Sequence, residues 1–368
     1  VRVGRGAGLD AVGTCSAEPF VRTREVLEAR REAGLSGTMA FTYRNPARST
    51  DPSATLEGAA SLVVAALRYP TEVPPPPDRP AGRVGRYATA DHYGRLRAGL
   101  DAVADVLRDS GFVARVLADD NALVDRAAAY RAGLGWFGKN SNLLLEGRGS
   151  WFVLGSVLTT ADLGPSPEPV PDGCGVCRRC IDGCPTGAIV ADGVVDARRC
   201  LAWLVQASGP FPSEARVALG DRIYGCDECQ EVCPPNRVSE RVGDGPASEP
   251  PPAAPGSWVD VEWLLTAPDD ELLHRGRLGR WYVPDRDASV LRRNALIVLG
   301  NIADPTDPVV ERLLTDYLDG ADDLLAGHAA WAALRLGRGD VLVGQRAQRP
   351  AVAAEMAAAP PIRQDARP

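Results

Sequence analysis

Cys174-Gly-Val-Cys177-Arg-Arg-Cys180-Ile-Asp-Gly-Cys184-Pro185 and, further on, Arg222-Ile-Tyr-Gly-Cys226-Asp-Glu-Cys229-Gln-Glu-Val-Cys233-Pro234 decide how this chain is read. The first run has the C-x2-C-x2-C-x3-C-P spacing in which closely spaced thiolates wrap one face of a 4Fe–4S cubane and the cysteine before proline turns to a second cluster. The second run is one cysteine short, because Ile223 stands where its first ligand would be. Crosswise sharing therefore gives one cluster Cys174, Cys177, Cys180 and Cys233. The other takes Cys226, Cys229 and Cys184, and Cys200, which lies between the runs, completes it. Zinc in two four-cysteine sites is the alternative metal reading. Three tightly spaced cysteines followed by Cys-Pro suit a cubane better, and the crowding of the cysteines into one stretch argues against a disulfide scaffold. Of the nine cysteines only Cys15 is left over, and it reads as a small buried apolar residue.

The surrounding composition is that of a globular protein. The chain has 368 residues, 45% apolar and 24% charged, enough for several domains and a sizeable core. No apolar run is long enough to span a bilayer, and neither a secretory leader nor a twin-arginine signal is visible. The expected location is the cytoplasm, with no membrane partner, although the sequence begins at Val1 and not at Met. A net charge of −7 excludes an indiscriminate nucleic-acid binder but permits a local arginine patch. Lysine occurs once, at Lys139.

Segment 1–165 mixes helix and strand signals. Val21–Ala33 and Arg95–Ser110 read as helices, the second with Leu96, Leu100, Val103 and Leu107 on one face. Ala11–Cys15, Ser61–Arg68, Phe112–Leu117 and Trp151–Leu158 read as strands, so an α/β domain is expected here. A proline-rich linker, Pro165–Gly173, leads into a bacterial ferredoxin-like domain with two 4Fe–4S clusters, spanning 166–242. A linker and helical connection follow over 243–285, including the Pro- and Ala-rich stretch Gly243–Gly256. The segments Leu291–Asn301 and Leu325–Gly337 resemble each other in character, which suggests HEAT-like helical repeats over 286–345. The tail, 346–368, is rich in Ala, Pro and Arg and is expected to be disordered.

Three stretches outside the cysteines carry chemistry. Ala132-Gly-Leu-Gly-Trp-Phe-Gly-Lys139-Asn140-Ser141 packs glycines, a tryptophan and the one lysine into what reads as a tight loop. Its formal match to a dinucleotide fingerprint is weak, because a helix and not a strand precedes it. Asp119 and Asp120 stand where a strand ends, and a partly buried carboxyl there would hold a proton near neutral pH. Gly85 to Tyr93 is a polar, aromatic cluster ahead of a helix, with Asp91 either capping that helix or facing a pocket.

Taken in order, GTMAFTYR, GRYATADHY, RAGLGWFGKN, CGVCRRCIDGCPTGAI, RRCLAW and RIYGCDECQEVCP resemble the epoxyqueuosine reductases of tRNA modification, over about residues 9 to 337. The resemblance implies an oxidoreductase that reduces the epoxide of epoxyqueuosine at the tRNA wobble position to give queuosine. It implies an N-terminal cobalamin-binding domain, cobalamin beside the two 4Fe–4S clusters, and an external low-potential electron donor. By position, Asp119 matches the family's acid and Arg44 a cobalamin-contacting arginine. Lys139, Asn140 and Ser141 would lie along the corrinoid pocket, and Cys226 and Asp227 where the cluster domain meets the corrinoid. Arg292, Arg293 and their neighbours would hold the anticodon stem-loop through phosphates. The departures fall in the substrate-facing motifs: Asp120 to Arg126 after the acid, His92 and Tyr93 in swapped order, and Ala202 to Val205 after Cys200. The rival readings are a cobalamin-dependent reductive dehalogenase-like enzyme, a two-cluster electron-transfer protein, and a tRNA-binding factor with structural clusters. A monomer is expected.

Overall fold

The computed structural model describes residues 1–69, 72–242, 256–358 and 360–362. The chain divides into two compact units that interleave along the sequence. Unit 1 is Val1–Glu72, Asp91–Cys200 and Asp227–Pro251, and unit 2 is Val73–Ala90, Leu201–Cys226 and Pro252–Pro368.

Unit 1 is built on strand Ser61–Arg68, whose residues are buried at every position but the last. The strand pairs antiparallel with Ala11–Ser16 on one side and with Phe152–Thr159 on the other, and Ala114–Ala118 closes the far edge. Burial on both faces requires two covering layers. Leu62, Val64 and Ala66 pack with Ala127, Ala128 and Ala129 of the helix Asp125–Arg131. On the opposite face Ala65 pairs with Gly155, and a Cβ at Gly155 would lie 2.9 Å from Leu100 of the helix His92–Asp109. The helix-and-sheet layering expected from the sequence is present. Its strand pairings are all antiparallel, however, so the rule that ligands sit beyond the carboxyl ends of parallel strands does not apply, and Asp119 must be judged on its own surroundings.

In unit 2 a small sheet, Arg222–Tyr224 beside Ala81–Val84 beside Trp258–Asp260, sits with the helices Ser289–Ile302, Pro308–Asp319, Asp323–Arg335 and Pro350–Ala358. The two similar segments of the sequence lie in the first and third of these helices, which pack on each other. Residues 346–358 depart from the expected disorder. Val352 is fully buried, Arg346 bridges to Asp319 at 2.6 Å and Arg349 to Asp323 at 2.5 Å, so the alanine-rich segment gains a packed face that its composition alone does not reveal. The Pro- and Ala-rich linker, apart from Gly256, lies outside the described residues.

Arg293 is a second correction. It is 1% exposed and donates to the carbonyls of Leu204, Ala207 and Gly209 at 2.6–2.9 Å, with burial lowering its pKa to about 10. Arg292 donates to Ala267 O and pairs with Asp269 at 2.5 Å. Both guanidiniums therefore hold the fold together and are not presented to phosphates.

Candidate metal centre and acid site

Cys174, Cys177, Cys180 and Cys233 line a single cavity of about 100 Å³ in unit 1. This is the crosswise quartet read from the spacing: three thiols of the first run and the last thiol of the second. The electrostatics agree. Burial raises the Cys180 thiol, and Cys174 and Cys177 raise it further. Cys233 is pushed up to about 11, first by burial; the backbone N–H of Asn236 opposes the shift, and Cys180, Cys174 and Cys177 add to it. Four mutually repelling thiolates need a cationic centre among them, which iron supplies. Among the described residues no three His, Cys, Asp or Glu side chains converge as ligands of one metal ion. The four thiols line one cavity, as the ligands of a cubane do.

The cavity wall explains the glycine- and tryptophan-rich stretch. Gly135–Phe137 and Leu143–Leu145 form a β-hairpin, so the expected loop is confined to the hairpin's tip. Trp136 and Leu144 bury against Cys233 and Cys174. A Cβ on Gly173 would come within 2.7 Å of the Trp136 ring, so only glycine allows that approach. At the tip Ser141 takes a left-handed φ of 64° and its hydroxyl donates to Gly193 O at 2.7 Å. Asn140 is buried and donates to Cys229 O at 3.2 Å. Lys139 lines the cavity, and its ammonium lies 3.0 Å from Asp192.

A polar knot missed at the sequence level fixes the second run. The Asn236 side chain is fully buried, accepts from Ser150 N–H at 2.5 Å and donates to Gln230 O at 2.8 Å. Ser150 Oγ donates to Gln230 Oε1 at 2.9 Å, and Gln230 Nε2 donates to Asp227 at 3.2 Å. A Cβ on Gly149 would strike Asn236, so glycine there admits the knot. The signal available in the sequence was the asparagine and glutamine close to Cys-Pro, which no periodicity singles out.

Of the second quartet, Cys184, Cys200 and Cys229 belong to unit 1, and Cys226 ends a segment of unit 2, one peptide bond before Asp227. Cys184 Sγ accepts from Ala188 N–H at 3.2 Å. Cys200 N–H donates to Asp196 O at 3.1 Å, and Asp196 is clamped by Arg198 at 2.8 Å.

The acid loop follows strand Ala114–Ala118 directly. Asp119 has a left-handed φ of 52° and reaches solvent, yet the surrounding protein raises its carboxyl pKa; Arg97 opposes and Asp120 reinforces that shift. Arg97 also donates to Ala118 O, pinning the backbone just before the acid. Asp125, at the start of its helix, was not foreseen as a site residue. Burial first, then the Asp119 charge, holds its carboxyl well above the ordinary value, and its Oδ1 is buried with no hydrogen-bond partner among the described residues. Tyr93 is raised by burial and by Asp119 and Asp125. Asp91 accepts from Gly94 N–H at 2.9 Å, which makes it the helix cap. Arg44 sits exposed in a bend before the short helix Pro46–Ser49.

Unit 1 thus joins a thiolate cage to a carboxyl held toward its protonated form, the parts of an iron–sulfur redox protein. Residues 173–236 match the family described as 4Fe-4S double cluster binding domain. An epoxyqueuosine reductase of Bacillus anthracis is 32% identical over 90% of this chain and 86% of its own. A Bacillus subtilis epoxyqueuosine reductase, solved with an aspartate catalytic loop swung out of its active site, superposes with a TM-score of 0.82 at 27% identity, covering 96% of this chain and 95% of that one. Another, solved with an epoxyqueuosine-modified tRNA-Tyr stem loop, gives 0.80 at 29% identity, covering 99% and 94%. The chain belongs to the epoxyqueuosine reductase family.

Proposed function

We propose that this protein reduces epoxyqueuosine to queuosine in the anticodon loop of tRNA. The single observation that carries the reading is the crosswise quartet Cys174, Cys177, Cys180 and Cys233 around one cavity, in a chain of this family. Loss of the epoxide oxygen as water consumes two electrons and two protons. Two cubanes, the second held by Cys184, Cys200, Cys226 and Cys229, would deliver the electrons singly from an external low-potential donor.

Cobalamin, the cofactor implied by the family resemblance, supplies when bound a low-potential metal able to promote C–O cleavage. The chemistry of the acid loop fits such a site: Asp119 is solvent-accessible and its carboxyl is biased toward the protonated form. Asp119 donates a proton to the departing oxygen as a general acid. Arg44, Ser141, Cys226 and Asp227 are the residues assigned to the corrinoid. Lys139 and Asn140 serve it through the hairpin tip, since their side chains line the cluster cavity. On this reading the N-terminal layers form the cobalamin domain, the cysteine region a ferredoxin-like domain, and the helices from Ser289 onward a HEAT-like array. With Arg292 and Arg293 committed to the fold, exposed Arg275 and Arg277 in the 274–280 loop are the phosphate contacts we assign.

The test is anaerobic reconstitution with iron, sulfide and cobalamin, followed by single-turnover conversion of an epoxyqueuosine-bearing anticodon stem-loop under a chemical reductant. Conversion to queuosine, lost in Asp119→Asn, is expected. Protein that carries both clusters but fails to bind cobalamin would sink the proposal.

A further inference from the structure

We propose that Lys139 and Asp192 form a charge pair that sets the reduction potential of the first cluster. This rests on the cavity of Cys174, Cys177, Cys180 and Cys233 holding a cubane. Apart from these thiols, Lys139 is the one charged side chain among the described residues that line that cavity. Its side chain is only 13% exposed and its ammonium lies 3.0 Å from the carboxylate of Asp192, which is 59% exposed.

The pair is held from both sides. Gly193 N–H donates to Lys139 O at 2.9 Å, Ser141 Oγ donates to Gly193 O at 2.7 Å, and Arg30 donates to the same carbonyl at 2.6 Å. Asp192–Gly193 is the turn between the strands Ile189–Ala191 and Val194–Val195, so the turn that carries the carboxylate is tied to the hairpin tip that carries the ammonium.

A 4Fe–4S cubane with four thiolates is an anion and gains one further negative charge on reduction, and its potential follows local charge. A nearby ammonium with little solvent around it stabilises the reduced form more than the oxidised one and so raises the potential. Asp192 works against it, more weakly, because water screens the exposed carboxylate. The two residues therefore act on the cluster with opposite signs while sharing one ion pair.

That opposition supplies the test. The full-length protein is reconstituted anaerobically and its first cluster titrated by EPR, the signal being assigned by its absence in Cys233→Ser. Lys139→Gln should shift the midpoint potential down, Asp192→Asn should shift it up, and Lys139→Arg should stay near wild type, with the second cluster as internal reference. Both substitutions break the same bridge, so a merely structural role would move both the same way. Shifts of one sign, or no shift in either, overturn the inference. If Lys139→Gln does not retain the cluster, Asp192→Asn alone decides by the sign of its shift. Wild-type protein that takes up no cluster overturns the cluster reading itself, and is told apart by its iron content.

Discussion

The Asn236 side chain accepts a hydrogen bond from the backbone N–H of Ser150 at 2.5 Å, tying the segment after Cys233 to a position two residues before strand Phe152–Thr159. Asn236 also donates its backbone N–H to Cys233 O at 3.1 Å, so one residue links a metal-ligand loop to the rigid sheet. Asn236→Ala leaves the Ser150 amide and the Gln230 carbonyl without these partners in a buried setting. The expected cost is about 3 kcal/mol of stability, read from chemical denaturation of the cluster-loaded protein, with faster loss of iron under chelator.

Cys233→Ser tests the crosswise assignment. Although Cys233 lies in the second run, its removal should abolish the first cluster's EPR signal and leave the second, with a corresponding drop in iron content. Loss of the second signal instead would refute the assignment.

Asp119 predicts a pH limb. Its carboxyl pKa is raised, chiefly by desolvation against the surrounding protein, so the proton-donating form persists to higher pH than in a free aspartate and is lost as pH rises through the raised value. Single-turnover reduction should fall along that limb. Asp119→Asn should lower turnover by about 100-fold or more and erase the limb. Asp120 is one of the causes of the raised pKa, so Asp120→Asn should move the limb to lower pH.

Asp125 predicts a stability gain. A carboxyl whose folded pKa lies above its unfolded value contributes stability below the unfolded pKa and loses it as pH rises through the folded value. Asp125→Asn removes that penalty. Melting temperature should therefore rise at neutral pH, and the gain should vanish at acidic pH, where the carboxyl is protonated in both states.

The cysteine chemistry was legible because spacing constrains it directly: four thiols that must meet one cubane leave few pairings. The strand Ser61–Arg68 was legible for a related reason, since a short continuous apolar run has few alternatives to a sheet centre. What escaped depends on contacts distant in sequence. Arg293 reads as a surface cation until three carbonyls from 204–209 gather around it. The helix Pro350–Ala358 has a disordered composition until Val352 finds its buried site. Asp125 looks like an ordinary helix-start acid; only the packing that buries its Oδ1 distinguishes it. The interleaving of the two units leaves no local trace in the chain.

Cys15 stands apart from the other eight cysteines. It is fully buried, its Sγ lies 3.8 Å from Ala128 O, and burial pushes its thiol up to about 12. In the folded, cluster-free protein an alkylating reagent therefore finds seven partly exposed thiols, Cys233 being buried in the cavity wall, while Cys15 stays silent until the sheet unfolds. Mass-resolved labelling would then score the ligand set alone, with the ninth cysteine acting as a built-in clock for loss of the fold.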